Sequence, residues 1–176
     1  MKSLKEIVEQ AYEDGEMWAD EVHEKSLPFI FELDIQEGNY PTNFSNEDKS
    51  LLKGAVVGEL IYNSFKSVLG IKRYLDIPHG LLDRERFREK VPRITVSLGL
   101  KLGCYLIEVS DNGPGISPEN MGKIWTRGFS TFGTSGVGLP HMLEEVSDRF
   151  FGRMDVQSRP NEETKFSVYI PLNYRS

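Results

Sequence analysis

Residues 108–139, EVSDNGPGISPENMGKIWTRGFSTFGTSGVGL, contain two glycine-rich turns. The first turn, Asp111–Gly115, follows the apolar segment Cys104–Val109, which predicts a strand. The second turn, Gly133–Gly138, runs into Leu139–Phe150, where the apolar spacing predicts a helix. A glycine-rich turn that opens a helix offers free N–H groups and the positive end of the helix dipole, which suits phosphate. An aspartate just past a strand can accept a hydrogen bond from a ring amine, so the two turns together predict a nucleotide site.

Length, charge and cysteine content bound the class of protein. The chain has 176 residues, enough for one domain with a substantial core. Its net charge of −6 disfavours a nucleic-acid surface, since phosphate contacts need clustered basic residues. Cys104 is the only cysteine, which excludes an internal disulfide, and its place in an apolar strand indicates a core residue. No apolar run approaches the ~18–20 residues of a membrane span, and the polar N-terminus does not resemble a signal peptide, so we expect a cytoplasmic protein.

The N-terminal segment, residues 2–25, predicts an acidic amphipathic helix. The apolar residues that recur at helical spacing are Leu4, Ile7, Val8, Ala11, Trp18 and Val22. Gly15 weakens the middle of the helix, so the pattern also fits two shorter helices. The apolar face either packs on its own domain or forms half of a dimer or partner contact, and the sequence leaves both alternatives open. We expect residues 1–27 to form an N-terminal helical segment and residues 28–176 to form the main domain.

The segments beyond residue 27 predict a sheet with helices. The predicted strands are Phe29–Ile35, Ile94–Leu100, Cys104–Val109, Gly152–Ser158 and Lys165–Pro171. A long helix, Glu47–Leu69, follows Ser45, a candidate N-cap with Asp48 three residues on. The polar connector Gly70–Pro92 holds a short charged helix at Leu82–Lys90. This order predicts an α+β fold, a two-layer α/β sandwich with a mixed, mostly antiparallel sheet and helices on one face. The chain has neither the doubly wound order nor a P-loop motif.

Glu59, Asn63 and Lys66 recur about one helical turn apart, so they share one face of the long helix. The Asn63 side-chain oxygen can face Mg²⁺, which takes oxygen ligands while bridging phosphates. Glu59 can orient or deprotonate an attacking water or hydroxyl, and Lys66 can face a phosphate. The alternative, which the helix taken alone favours, is that Glu59 and Lys66 lie on a solvated face and Asn63 is a satisfied polar residue.

Several segments of the chain resemble, in the right order, the motifs of the GHKL superfamily. This superfamily comprises histidine kinases, gyrase-type ATPases, heat-shock chaperones and mitochondrial dehydrogenase kinases. The matching segments are Glu59–Lys66 (N box), Asp111–Gly115 (first glycine box), Ile124–Thr131 (before the ATP lid), Gly136–Leu139 (second glycine box) and Glu163–Pro171 (closing strand). The resemblance covers roughly Phe29–Leu172 and implies the Bergerat-type ATP-binding fold, with ATP and Mg²⁺ as its ligands.

The resemblance also implies a role for each matched residue. Asp111 would accept the adenine amino group, Asn63 would ligate Mg²⁺, and Glu59 would serve as general base. The residues implied to contact the nucleotide are Asn63, Lys66, Asp111, Gly113, Gly115, Ile116, Thr131, Gly136, Val137, Gly138 and Leu139. Two departures from the family pattern predict a modest affinity. Thr134 stands where the second box usually has a further glycine, and the lid must fit within Ile116–Ser135.

The resemblance implies a histidine-kinase-type protein kinase that transfers a phosphoryl group to a partner in signal transduction. His23 is not expected to be the acceptor, because the 40 positions between His23 and Asn63 leave no room for the return helix of a bundle. The acceptor is therefore expected on another chain or outside this one, and it could be serine, since the N box also resembles the dehydrogenase kinases. The alternatives are an ATPase that uses Glu59 to activate water, although the chain lacks a transducer domain, and a non-catalytic nucleotide- or partner-binding module.

Overall fold

The computed structural model describes residues 2–25, 27–71, 90–131 and 133–174. The predicted short helix at Leu82–Lys90 lies, apart from Lys90, outside the described residues, as does most of the predicted connector Gly70–Pro92.

The helices follow the predicted order. They are α1 (Leu4–Glu24), α2 (Asn46–Ser50), α3 (Glu59–Leu69), α4 (Pro118–Met121) and α5 (Gly138–Phe150), with a π-helical segment at Leu51–Gly58 and a 3₁₀ turn at Lys123–Trp125. The predicted long helix is thus one helical run whose middle turns are wider than α-helical turns. Ser45 caps this run as predicted: its hydroxyl accepts from the Asp48 N–H at 3.0 Å, and the Asp48 carboxylate accepts from the Ser45 N–H at 3.1 Å.

The strands form one five-stranded sheet. They are β1 (Ile30–Ile35), β2 (Arg93–Lys101), β3 (Cys104–Asp111), β4 (Arg153–Arg159) and β5 (Glu163–Pro171), in the spatial order β1-β2-β3-β5-β4. The pair β1–β2 is parallel and the other pairs are antiparallel. In the register of β3 with β5, Asp111 lies opposite Thr164. The predicted mixed, mostly antiparallel sheet is confirmed.

The helices cover one face of the sheet, as predicted. The helix α3 packs on β2 and β3, and α5 packs on β4 and β5. Between these layers lies a core of fully buried apolar side chains, among them Leu60, Ile107, Val146 and Val168. The site described below is lined from α3, from the start of α5 and from β5.

The N-terminal helix α1 is continuous and packs on its own domain. Its apolar face is buried against β1, the π-helical segment and α3. Gly15 does not break the helix, because it lies where α1 meets the core: a Cβ there would be 2.9 Å from the Phe31 ring and 3.1 Å from an Ile61 methyl. The predicted single helix is therefore confirmed, and the alternative of two shorter helices is wrong. The division of the chain after residue 27 stays a prediction.

None of the helices within the described residues combines the length and the apolar character needed to cross a bilayer.

Candidate functional site

A cavity of about 770 Å³ opens between α3 and the segment that runs from the first glycine-rich turn to the start of α5. It is lined by ten of the residues that the sequence singled out: Glu59, Asn63, Lys66, Gly115, Ile116, Thr131, Gly136, Val137, Gly138 and Leu139. The other two, Asp111 and Gly113, lie next to Ser67, which lines the cavity. The chain folds so that residues 80 positions apart in sequence share one concave site.

Asp111 ends β3 as a buried carboxylate, with 6% of the residue exposed. One carboxylate oxygen accepts from the Gly113 N–H at 2.9 Å and from the Ser67 hydroxyl at 3.3 Å, and the other accepts from the Ser64 hydroxyl at 3.1 Å. Burial raises the pKa of Asp111 to about 6, although these hydrogen bonds and the charge of Lys90 act in the opposite direction. The carboxylate is thus held in place without an ion pair among the described residues.

The first glycine-rich turn packs closely on the rest of the protein. A Cβ on Gly113 would overlap the Ser67 hydroxyl, and a Cβ on Gly115 would overlap the Arg159 carbonyl oxygen. Gly115 also has a φ of +73°, which favours glycine. Packing within the protein therefore requires glycine at both positions. The close approach of a ligand, which the sequence predicted, would be a second requirement.

Glu59, Asn63 and Lys66 line the cavity from α3. The Asn63 amide donates to the Glu59 carboxylate at 3.4 Å. Burial raises the pKa of Glu59, against the charge of Lys66 and the Asn63 hydrogen bond, and burial lowers the pKa of Lys66, against the charge of Glu59. Only 6% of Lys66 is exposed, so the solvated face that the helix alone favoured is wrong for this residue.

The second glycine-rich turn closes on the chain before it. The Gly136 carbonyl accepts from the Gly128 N–H at 2.9 Å, and the Gly136 φ of +64° falls in the left-handed region. Thr134, at the position where a glycine was expected, is accommodated by Ser130: the Thr134 N–H donates to the Ser130 hydroxyl at 3.1 Å, and the two hydroxyls lie 2.9 Å apart. Thr134 thus links two positions of the loop through its contacts with Ser130.

The beginning of α5 faces the cavity. Gly138 and Leu139 line it, and the described residues supply no side-chain cap to the first turn. The first N–H groups of a helix have no partner within the helix, and they carry the positive end of its dipole. Gly138 also makes room for Glu59, because a Cβ there would lie 2.6 Å from the Glu59 carboxylate.

The sequence reasoning missed several residues of the site. Tyr62 and Ser67 line the cavity from α3. They lie on the same helix face as Asn63 and Lys66, so helical spacing could have predicted them. Thr164 and Phe166 line it from β5. Only the pairing of β5 with β3 brings them there, and this register could not be read from the segment itself.

The oxygen atoms that line the site fit the ligand preference of a magnesium ion. Asn63 and Glu59 supply amide and carboxylate oxygens, the ligand type that Mg²⁺ takes. No group of three or more His, Cys, Asp or Glu side chains that could hold a metal by itself occurs in the part of the chain that the structure describes.

Residues 48–174 match the model of the family described as histidine kinase-, DNA gyrase B- and HSP90-like ATPases. A probable C4-dicarboxylate sensor kinase of Halalkalibacterium halodurans is 30% identical over 149 residues, which is 84% of this chain and 24% of that protein. The sensor histidine kinase DcuS of Escherichia coli (strain K12) is 39% identical over 79 residues, 44% of this chain and 14% of that protein. The chain therefore spans a quarter or less of the length of these two relatives.

Among solved structures, the nucleotide-free catalytic domain of the histidine kinase ThkA is similar to this chain with a TM-score of 0.63. The two share 19% sequence identity, over 96% of this chain and 94% of that domain. At this identity the likeness concerns the fold, and it extends to nearly the whole chain, including α1.

Proposed function

The chain belongs to the family of histidine kinase-, DNA gyrase B- and HSP90-like ATPases, as an ATP-binding catalytic domain of the histidine kinase type, and from this premise we propose that it transfers the γ-phosphoryl group of Mg-ATP to a partner protein in signal transduction. The observation that supports the proposal is one cavity lined by Glu59, Asn63 and Lys66, with the buried carboxylate of Asp111 directly behind its lining residue Ser67. Phosphoryl transfer depends mainly on positioning and on electrostatic stabilisation, which such a cavity can supply.

The nucleotide is oriented by Asp111 and by the start of α5. Asp111 accepts a hydrogen bond from the adenine amino group, because its ionised carboxylate offers acceptors only. The phosphates lie towards Lys66 and the first turn of α5, where an ammonium and unpaired N–H groups favour negative charge. Other residues that line the cavity, among them Ile116, Thr131 and Val137, contact the nucleotide.

Asn63 holds the magnesium ion that accompanies the nucleotide. Its amide nitrogen already donates to Glu59 at 3.4 Å, which leaves the amide oxygen as the group for a metal. A bound Mg²⁺ neutralises charge on the phosphates. The hydrogen bond from Asn63 keeps the Glu59 carboxylate beside the same end of the cavity.

Glu59 acts as general base on the group that attacks the γ-phosphate. Burial raises its pKa above the ordinary value, which favours proton acceptance near neutral pH. The same observation favours a second candidate function, an ATPase in which Glu59 activates water. The two functions differ only in which hydroxyl reaches Glu59, and the pocket itself accommodates either.

The acceptor lies on a partner protein or on another part of the protein. His23 is an unsuitable acceptor, because its ring nitrogen lies 3.0 Å from the Phe29 carbonyl oxygen within its own domain. A partner that contacts α1 would meet its exposed acidic side, which includes Glu13, Glu16 and Asp20, since the apolar side is buried. We place this reaction in the cytoplasm, because the site uses ATP.

The fate of the γ-phosphate tests the proposal. The chain is incubated with γ-radiolabelled ATP and Mg²⁺, alone and with a purified domain that carries a phosphoacceptor histidine. Label on protein supports a kinase, and the acid lability or base lability of the label distinguishes histidine from serine. Label only in free phosphate supports the ATPase, and neither product supports a binding module. Glu59→Gln is the matched control, since it keeps the volume of the side chain and removes the base.

A further inference from the structure

Lys66 is the only residue with a cationic side chain among the described residues that line the cavity. Lys66 as a whole is largely removed from water, since 6% of the residue is exposed. Within the described ranges the ion pairs do not include Lys66, so no carboxylate fixes its position. Its nitrogen lies instead 4.4 Å from the centroid of the Tyr62 ring. This distance is within the range of a cation–π interaction.

The Tyr62 ring is itself supported from α1. The Trp18 and Tyr62 ring centroids lie 5.6 Å apart with an interplanar angle of 54°. Trp18 also meets Phe65 edge-on, with centroids 5.4 Å apart and an angle of 82°. Aromatic pairs at these separations stabilise each other's positions by more than the burial of their surface alone would. The contacts form a continuous path from α1, through Trp18 and Tyr62, to the ammonium of Lys66.

A restrained ammonium matters because Glu59 lies on the same face of α3. The Lys66 side chain has four rotatable bonds, and the opposite charge of Glu59 acts on it. If Lys66 paired closely with Glu59, it would withdraw from phosphate and Glu59 would be less able to act as a base. A ring that attracts the ammonium opposes this pairing and reduces the conformational entropy that Lys66 loses when phosphate binds.

We propose that Tyr62 and Trp18 are positioning residues for phosphate binding: the Tyr62 ring, held by Trp18, keeps the Lys66 ammonium at the phosphate end of the cavity and so links α1 to nucleotide affinity. The inference rests on the proposed function, because it requires that the cavity binds a nucleotide through its phosphates. It gives α1 a role that depends on packing alone: a displacement of Trp18 changes the affinity for ATP without any contact between α1 and the ligand.

The test compares ligands with and without phosphate. Affinities for Mg-ATP, Mg-ADP and adenosine are measured by isothermal titration calorimetry on wild type and variants. Tyr62→Leu is expected to weaken ATP and ADP roughly 5- to 30-fold, the range of a partly desolvated cation–π contact, and to leave adenosine unchanged. Tyr62→Phe is expected to retain most of the ATP affinity, because it keeps the ring. Added to Lys66→Met, Tyr62→Leu is expected to cause no further loss, because it acts through Lys66.

Phe31→Leu is the matched control for packing. Phe31 belongs to the same aromatic cluster, with its ring 5.4 Å from that of Phe65, and this variant is expected to lower stability without a change in the ratio of ATP to adenosine affinity. An equal loss of ATP and adenosine affinity in Tyr62→Leu, or additive losses with Lys66→Met, would overturn the inference and leave the proposed function intact. Should Tyr62→Leu fail to fold, Trp18→Leu tests the same link: it is expected to weaken ATP and ADP by a smaller factor and to leave adenosine unchanged. Wild-type protein that binds none of the three ligands would refute both proposals.

Discussion

The buried carboxylate of Asp111 makes the stability of the protein depend on pH in a way that one substitution can reveal. Burial raises its pKa to about 6 in the folded protein, from an ordinary value of 3.8. The protonated form is therefore favoured by folding. This contribution to stability is complete below about pH 3.8 and is lost as the pH rises through about 6. The difference between the two pKa values corresponds to roughly 3 kcal/mol.

Asp111→Asn removes the titrating group and keeps its shape. The asparagine oxygen can still accept from the Gly113 N–H, which lies 2.9 Å from the carboxylate. Free energies of unfolding are measured by urea denaturation of both proteins between pH 4.5 and 7.5. Since all other titrating groups are the same in both, the difference between the two proteins isolates the contribution of Asp111. The stability of wild type relative to the variant is expected to fall by roughly 2 kcal/mol across this range. A difference that stays constant with pH would refute the burial argument.

The same pair of proteins tests adenine recognition. At an Mg-ATP-analogue concentration near 100 times Kd, binding should stabilise wild type by ~2.7 kcal/mol, or roughly 5–10 °C in Tm. The variant is expected to show little of this shift, because an amide nitrogen replaces one acceptor. In wild type, affinity should fall roughly tenfold for each pH unit below about 6, as the carboxylate is protonated. An equal Tm shift in the variant would exclude Asp111 from the pocket.

The remaining predictions concern Glu59, its neighbour Gly138 and the buried hydrogen bond from Tyr174 to Asp48. Glu59→Gln should lower turnover roughly 100-fold or more with little change in ATP affinity. Unchanged turnover would show that Glu59 is not the general base. Gly138→Ala should also lower turnover while the protein stays folded by circular dichroism, because the new Cβ would lie 2.6 Å from the Glu59 carboxylate. Tyr174→Phe should cost about 1–2 kcal/mol in urea denaturation, since the Tyr174 hydroxyl donates to the buried Asp48 at 3.1 Å; equal stability would show that this hydrogen bond contributes nothing.

The sequence predicted the elements well where their signals are local. The N-cap Ser45, the hairpin turn after β2 and the start of α5 all depend on residues within a few positions of each other. Asn63 and Lys66 were placed on one helix face by spacing alone, and the structure brings both to the cavity. Local propensity and periodicity were sufficient here because helix geometry fixes which side chains are neighbours.

The parts that the sequence did not predict depend on distant contacts. Gly15 reads locally as a helix breaker, but it is the point of closest approach between α1 and Phe31. Thr164 reaches the site through strand register, and Trp18 reaches Tyr62 only after α1 packs on α3. The wide turns at Leu51–Gly58 were also not predicted, since the buried residues Leu52, Val56 and Val57 recur at spacings that an α-helix fits as well.

The glycines of the site and Asp111 give different kinds of evidence for a ligand. Gly138 is required by Glu59 and Gly136 by the chain beside it, so the glycine-rich turns have structural reasons even without a ligand. Asp111 also has partners within the protein, the Gly113 N–H and the Ser64 and Ser67 hydroxyls, but its burial disfavours the ionised form, because it raises the pKa of the carboxyl to about 6. A buried carboxylate whose ionisation is disfavoured in the folded protein is a candidate for a functional site, because strongly perturbed pKa values cluster at such sites. The nucleotide site therefore rests more firmly on this one carboxylate than on the glycines that first indicated it.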